Sequence, residues 1–76
     1  MKEFFIFAED NKKCSDLIKY FVKRKINHQV VLDQNHVNKL KKILEMSAPI
    51  LIAKDGETGE NKVLISLKEL EDYING

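Results

Sequence analysis

A single cysteine, Cys14, excludes an internal disulfide, so no disulfide framework can hold this chain together. Tryptophan is absent, proline occurs once and glycine three times in 76 residues, and no low-complexity stretch, linker or internal repeat interrupts the pattern. No apolar run approaches the ~18 residues of a membrane span, which argues against a membrane-embedded protein. The opening "MKEFFIFAED" has an apolar run too short for a signal peptide and lacks a small-residue cleavage site. A cytoplasmic location is the resulting expectation. Strong excess charge is missing too: a net charge of +1 makes a dedicated nucleic-acid binder a poor expectation.

What is present is an ordinary globular composition. Hydrophobic residues make up 43% and charged residues 33%, too apolar for a disordered chain. The length fits one small domain spanning residues 1–76, with a limited core. Charge is uneven along it. Residues 1–48 carry ten Lys/Arg against six Asp/Glu, and residues 49–76 carry three against six. One face of the fold is expected to be more basic than another.

Four apolar runs read as strands. "FFIFA" (Phe4–Ala8) is continuous, as in a strand covered on both faces. "HQVVL" (His28–Leu32) is rich in β-branched residues. "PILIA" (Pro49–Ala53) and "KVLIS" (Lys62–Ser66) flank "KDGETGEN", a turn sequence, and suit a hairpin.

Three segments carry helical spacing. Cys14, Leu17, Ile18, Phe21 and Val22 fall on one helical face, as do Val37, Leu40, Ile43 and Leu44, with Asn35 as the expected cap of the second helix. The third begins with "SLKE", a capping box of Ser66 and Glu69, and presents Leu67, Leu70, Tyr73 and Ile74, with Gly76 as its stop. The predicted order is β-α-β-α-β-β-α: an α/β fold whose four-stranded mixed sheet carries three helices over its two faces.

That order, at this length, resembles the glutaredoxin branch of the thioredoxin fold over nearly the whole chain. Two stretches carry the resemblance locally. "FAED" followed by Asn11-Lys12-Lys13-Cys14 lies where such proteins have an aromatic residue, Ala-Glu-x and then Cys-x-x-Cys at the mouth of the first helix. Ser47-Ala48-Pro49 lies where they place a cis-proline loop, so the resemblance implies a cis Ala48–Pro49 bond and a ligand-binding edge there.

The departures bear on activity. The position of the nucleophilic first cysteine is Asn11, and an amide cannot attack a disulfide, so dithiol exchange at this site is excluded. Cys14 occupies the place of the second, resolving cysteine. Ile65-Ser66 stands where glutaredoxins tend to carry a Gly-Gly pair that approaches glutathione. Two functions of different class are therefore open. One is a redox-linked role of thiol–disulfide ancestry, with a mixed disulfide or glutathione on Cys14 and ligand contacts from Asn11, Lys12, Lys13, Ala48, Pro49 and Ser66. The other is a non-catalytic module that binds a protein or peptide on the same surface.

Bland readings compete at each residue. Cys14 is in phase with the apolar face of its helix, which favours a packed thiol over a reactive one. Lys12 and Lys13 oppose the helix dipole, as at an anion site, yet Glu9, Asp10 and Asp16 are close enough in sequence to neutralise them. "KRK" (Lys23–Lys25) suits the negative end of the first helix, and Lys39, Lys41 and Lys42 suit a solvated face. His28 and His36 make no metal-ligand spacing with Cys14, and no metal is expected.

Overall fold

The computed structural model describes residues 2–75 of the chain. The strands are β1 (Lys2–Phe7), β2 (Gln29–Val31), β3 (Ile50–Asp55) and β4 (Asn61–Leu64). The helices are α1 (Lys12–Lys23), α2 (Gln34–Leu44) and α3 (Leu67–Asn75). The strands form one sheet in the order β2-β1-β3-β4. β1 is parallel to β2 and antiparallel to β3, which in turn is antiparallel to β4. Order, sheet and pairing are those expected of the thioredoxin/glutaredoxin-like α/β fold.

The two-residue period of β1 sorts its side chains. Phe4 and Ile6 share a face with Ala53 and Leu51 of β3 and Leu64 of β4, their cross-strand partners. All five are buried. α1 and α3 close over this face through aromatic edges: the Phe4 ring lies 5.5 Å from Phe21 of α1 and 5.9 Å from Tyr73 of α3, both T-shaped. Each such pair contributes about 0.5–1.5 kcal/mol beyond area burial. Lys2 ties the start of β1 to the end of α3, its Nζ donating to the Tyr73 carbonyl at 2.6 Å and lying 4.5 Å from the centre of that ring.

The opposite face is less well covered. Ile50 is fully buried there, but Phe5, Phe7, Ile52 and Val63 are only half-buried. Continuous hydrophobicity in β1 therefore does not mean equal cover on both faces. α2 is anchored where β1 ends: Gln34 Nε2 donates to the Ala8 carbonyl at 3.3 Å and Lys41 Nζ to Glu9 at 2.8 Å.

Several local expectations shift. α2 is capped by Asp33, whose carboxylate accepts from the Asn35 amide at 3.0 Å, so Asn35 lies inside the first turn rather than at the cap. Val22, Ile43 and Leu67 are more than half exposed despite falling on the apolar arcs assigned to them. The sheet is narrow, and each of the three arcs outruns the surface available to cover it. The stop assigned to Gly76 lies outside the described residues.

Neither α1 nor α2 ends on glycine. Lys25 adopts φ 56 after α1, and the amides of Lys25 and Ile26 donate back to Val22 and Phe21 at 3.1 and 3.0 Å. This is a Schellman closure whose left-handed position carries a side chain. Glu45, at φ 53, does the same work after α2. A left-handed L-residue costs about 1–2 kcal/mol, offset in part by the extra unfolded-state entropy of glycine. Lys25→Gly is thus expected to stabilise the domain by about 0.5–1 kcal/mol, read as a higher urea midpoint at unchanged slope.

Candidate functional site

The site lies where β1 runs into α1. Past Phe7 the chain turns through Ala8–Asp10, and Asn11, extended at φ −148, caps α1 by accepting the Cys14 amide on Oδ1 at 2.8 Å. Asparagine is among the best residues for this role. Asn11 is thereby an exposed helix cap with its oxygen committed to the backbone.

Cys14 faces inward. It is 1% exposed and belongs to the core with Phe4, Ile6, Ala8, Phe21 and Ala48. Its Sγ accepts from the Glu9 amide at 3.2 Å, which satisfies a loop donor and holds the loop against the helix. A mixed disulfide at this sulfur requires the first turn of α1 to open.

Lys12 and Lys13 are exposed. The expected neutralisation by Glu9, Asp10 and Asp16 does not form: among the described residues no carboxylate lies within ion-pair distance of either lysine, and Glu9 pairs with Lys41 instead. Lys39 and Lys42 are solvated. His28 is oriented by a 2.9 Å contact between Nδ1 and the Ile26 carbonyl and packs on Phe21, while His36 meets Asp33 at 3.6 Å on the surface. Among the described residues no three His, Cys, Asp or Glu side chains gather as a metal site. No helix among them is long and apolar enough to cross a membrane.

The Ala48–Pro49 bond is cis. Ala48 is buried, and Pro49 reaches the surface at one end of an open groove of about 400 Å³ between α1 and α3. The α1 wall is Lys13, Asp16, Leu17 and Tyr20; Leu51 and Leu64 of the sheet and Leu70 of α3 make the floor; Ile65, Ser66 and Leu67 form the far lip. Ile65 is 70% and Leu67 51% exposed. Of the ligand-contact residues read from the sequence, the groove brings together Lys13, Pro49 and Ser66 and leaves Asn11, Lys12 and Ala48 outside its lining, as it does Cys14, the candidate reactive thiol. Sequence reasoning did not place Leu17, Leu51, Leu64 and Leu70 at a site; Leu51, Leu64 and Leu70 are at most 4% exposed there. The one available signal was Ile65, an isoleucine where the family resemblance calls for glycine.

The far lip is internally satisfied. Ser66 Oγ accepts the Glu69 amide at 3.2 Å, and Glu69 Oε2 accepts the Ile65 amide at 2.7 Å. The reciprocal arm of the capping box thus reaches one residue beyond the cap. It places a carboxylate at the positive end of α3.

Tyr20, on the α1 wall, is tied outward. Its hydroxyl donates to Glu71 at 3.2 Å, and the Arg24 guanidinium lies 4.7 Å from its ring centre. Partial burial, and secondly the hydrogen bond to Glu71, raise its phenol above the usual value of 10.0, and partial burial likewise raises Tyr73.

No protein-family model and no curated protein matches this chain.

Two outcomes follow from this geometry. Iodoacetamide should alkylate Cys14 at least about 100-fold more slowly in the native protein than in urea, because only an opened α1 exposes the sulfur. Stability should be level with respect to Tyr20 below pH 10.0 and decline as pH rises through the raised folded-state value, since the unfolded phenol loses its proton first. Urea midpoints taken across that range should decline less steeply for Tyr20→Phe.

Proposed function

We propose that this chain is a non-catalytic binding module of thiol–disulfide redox ancestry, which holds an extended protein or peptide segment in the groove between α1 and α3. The resemblance to glutaredoxins supplies the ancestry. The observation that carries the reading is the separation of thiol from groove: Cys14 is 1% exposed and lines no part of the groove, while the groove stands open beside Pro49.

A dithiol reaction needs an accessible thiolate and a second sulfur to resolve it. This chain has one thiol, and it is engaged by the Glu9 amide. Binding needs neither. A concave, mostly apolar surface of a few hundred cubic ångströms with a small number of polar groups at its rim is the usual form of a recognition site. Here the rim groups are Lys13, Asp16 and Ser66. In a cytoplasmic setting a lone buried thiol stays reduced and serves packing.

Amide-resolved titration tests this with capped hexapeptides whose central residues are acidic, basic, aromatic or aliphatic. At least one class should shift the amides of Leu17, Leu64 and Ile65. The same peptide should bind Cys14→Ala with an affinity within about twofold of the parent, because the thiol takes no part. Loss of binding on thiol removal in a variant that still folds returns the redox-linked role to first place. Silence from all four classes sinks the binding module.

A further inference from the structure

The sheet has two edges, β2 on one side and β4 on the other. An edge strand presents amides and carbonyls that no neighbouring strand takes, and proteins commonly guard such an edge with lysine or proline. β4 carries Lys62 among its four residues. β2 and its flanks carry no guard: residues 26–32, "INHQVVL", hold no Lys, Arg, Asp, Glu or Pro.

The unguarded edge is its own complement. The Ala8 amide donates to the Val31 carbonyl at 3.1 Å, so Val31 turns its polar groups toward β1. Alternation turns those of Val30 outward, with His28 and Leu32 in the same phase on either side of it. A second copy laid antiparallel across a two-fold axis at Val30 sets Val30 against Val30, each amide donating to the other's carbonyl. The same register sets His28 against Leu32 at both ends, and no two charges meet. Because both copies use the same edge, the assembly closes at two.

Side chains on this flank ask for the same partner. Val30 is level with Ile6, so it shares the face that α1 covers, and Leu32 follows two residues on. α1 lies over β1 and β2, since the Phe21 ring is 5.5 Å from Phe4 and 5.2 Å from His28. Tyr20 turns toward α3, where it meets Glu71. A helical step of about 100° then puts Val22 on the opposite flank of α1, above β2. Val22 and Leu32 are 63% and 64% exposed. The two-fold brings Leu32 of each copy beside His28 and the α1 flank of the other. Two strand spacings of about 4.8 Å would separate the two α1 helices by about 10 Å, within the range of packed helices.

We infer that this chain forms a two-fold dimer through the outer edge of β2, with Val30 on the axis and the two sheets joined into one of eight strands. The inference stands apart from the groove, which lies on the other flank of α1 and stays open in the dimer. The interface is short, so association belongs to the weak, concentration-dependent class.

Sedimentation equilibrium from about 10 µM to about 1 mM tests it. The mass should rise from the 8.8 kDa of one chain toward twice that value. Val30→Lys, which puts like charges on the axis, and Leu32→Lys, at a more exposed position, should each weaken association at least about tenfold. Ile43→Lys, at an equally exposed apolar position on α2, should leave it unchanged. Hydrogen exchange of the parent gives a readout independent of the variants. The Val30 amide should exchange several-fold more slowly in the concentrated sample, while the Val37 amide, bonded to the Asp33 carbonyl at 3.0 Å inside α2, should not change. A mass that stays at 8.8 kDa overturns the dimer and leaves the edge to a strand from another protein. A dimer that survives both β2 variants, or one that forms without slowing the Val30 amide, uses another surface and overturns the assignment to β2.

Discussion

Phe4 is the contact on which the fold turns. It sits on the inner strand β1, and its ring receives the edges of Phe21 from α1 and Tyr73 from α3. Two helices far apart in sequence are thereby fastened to one side chain near the start of the chain. The same two helices contribute Leu17 and Leu70 to the groove lining, beside Leu51 and Leu64 of the sheet. Lys2 reinforces the arrangement by holding the last turn of α3.

The same strand sets the fate of the thiol. β1 ends so that the Glu9 amide points at Cys14 and the Glu9 carboxylate at Lys41. One loop residue therefore links the end of the sheet to both α1 and α2. Asn11 caps the helix on the Cys14 amide, and the Cys14 side chain is part of the packing. The surface that remains open is apolar. Thiol and cleft are separate features, since Cys14 is no part of the groove lining.

Much of the architecture was legible in the sequence because it rests on periodicity. Alternation in β1 and β3, the i, i+3, i+4 spacing of three helices and the turn chemistry of "KDGETGEN" are local signals, and they place every element in order. Cys14 also read correctly as a packed thiol, because its phase with Leu17, Ile18 and Phe21 is a property of spacing. The helix ends were harder. Asp33 rather than Asn35 caps α2, and both residue types are good caps, so only the path of the chain out of β2 discriminates between them. Lys25 and Glu45 take left-handed turns that no residue type announces.

The sequence by itself determined the elements, the absence of a nucleophile at Asn11 and the single inward thiol, for these follow from residue identity and short-range spacing. Tertiary structure alone decided the groove. Its lining comes from three stretches of chain, residues 13–20, 49–51 and 64–70, that meet only after the sheet has formed. It also decided the electrostatics: Glu9 turned away from Lys12 and Lys13 to reach Lys41, and Glu69 turned back onto Ile65. Which charge meets which partner depends on distances of a few ångströms between segments, and one-dimensional order does not contain them.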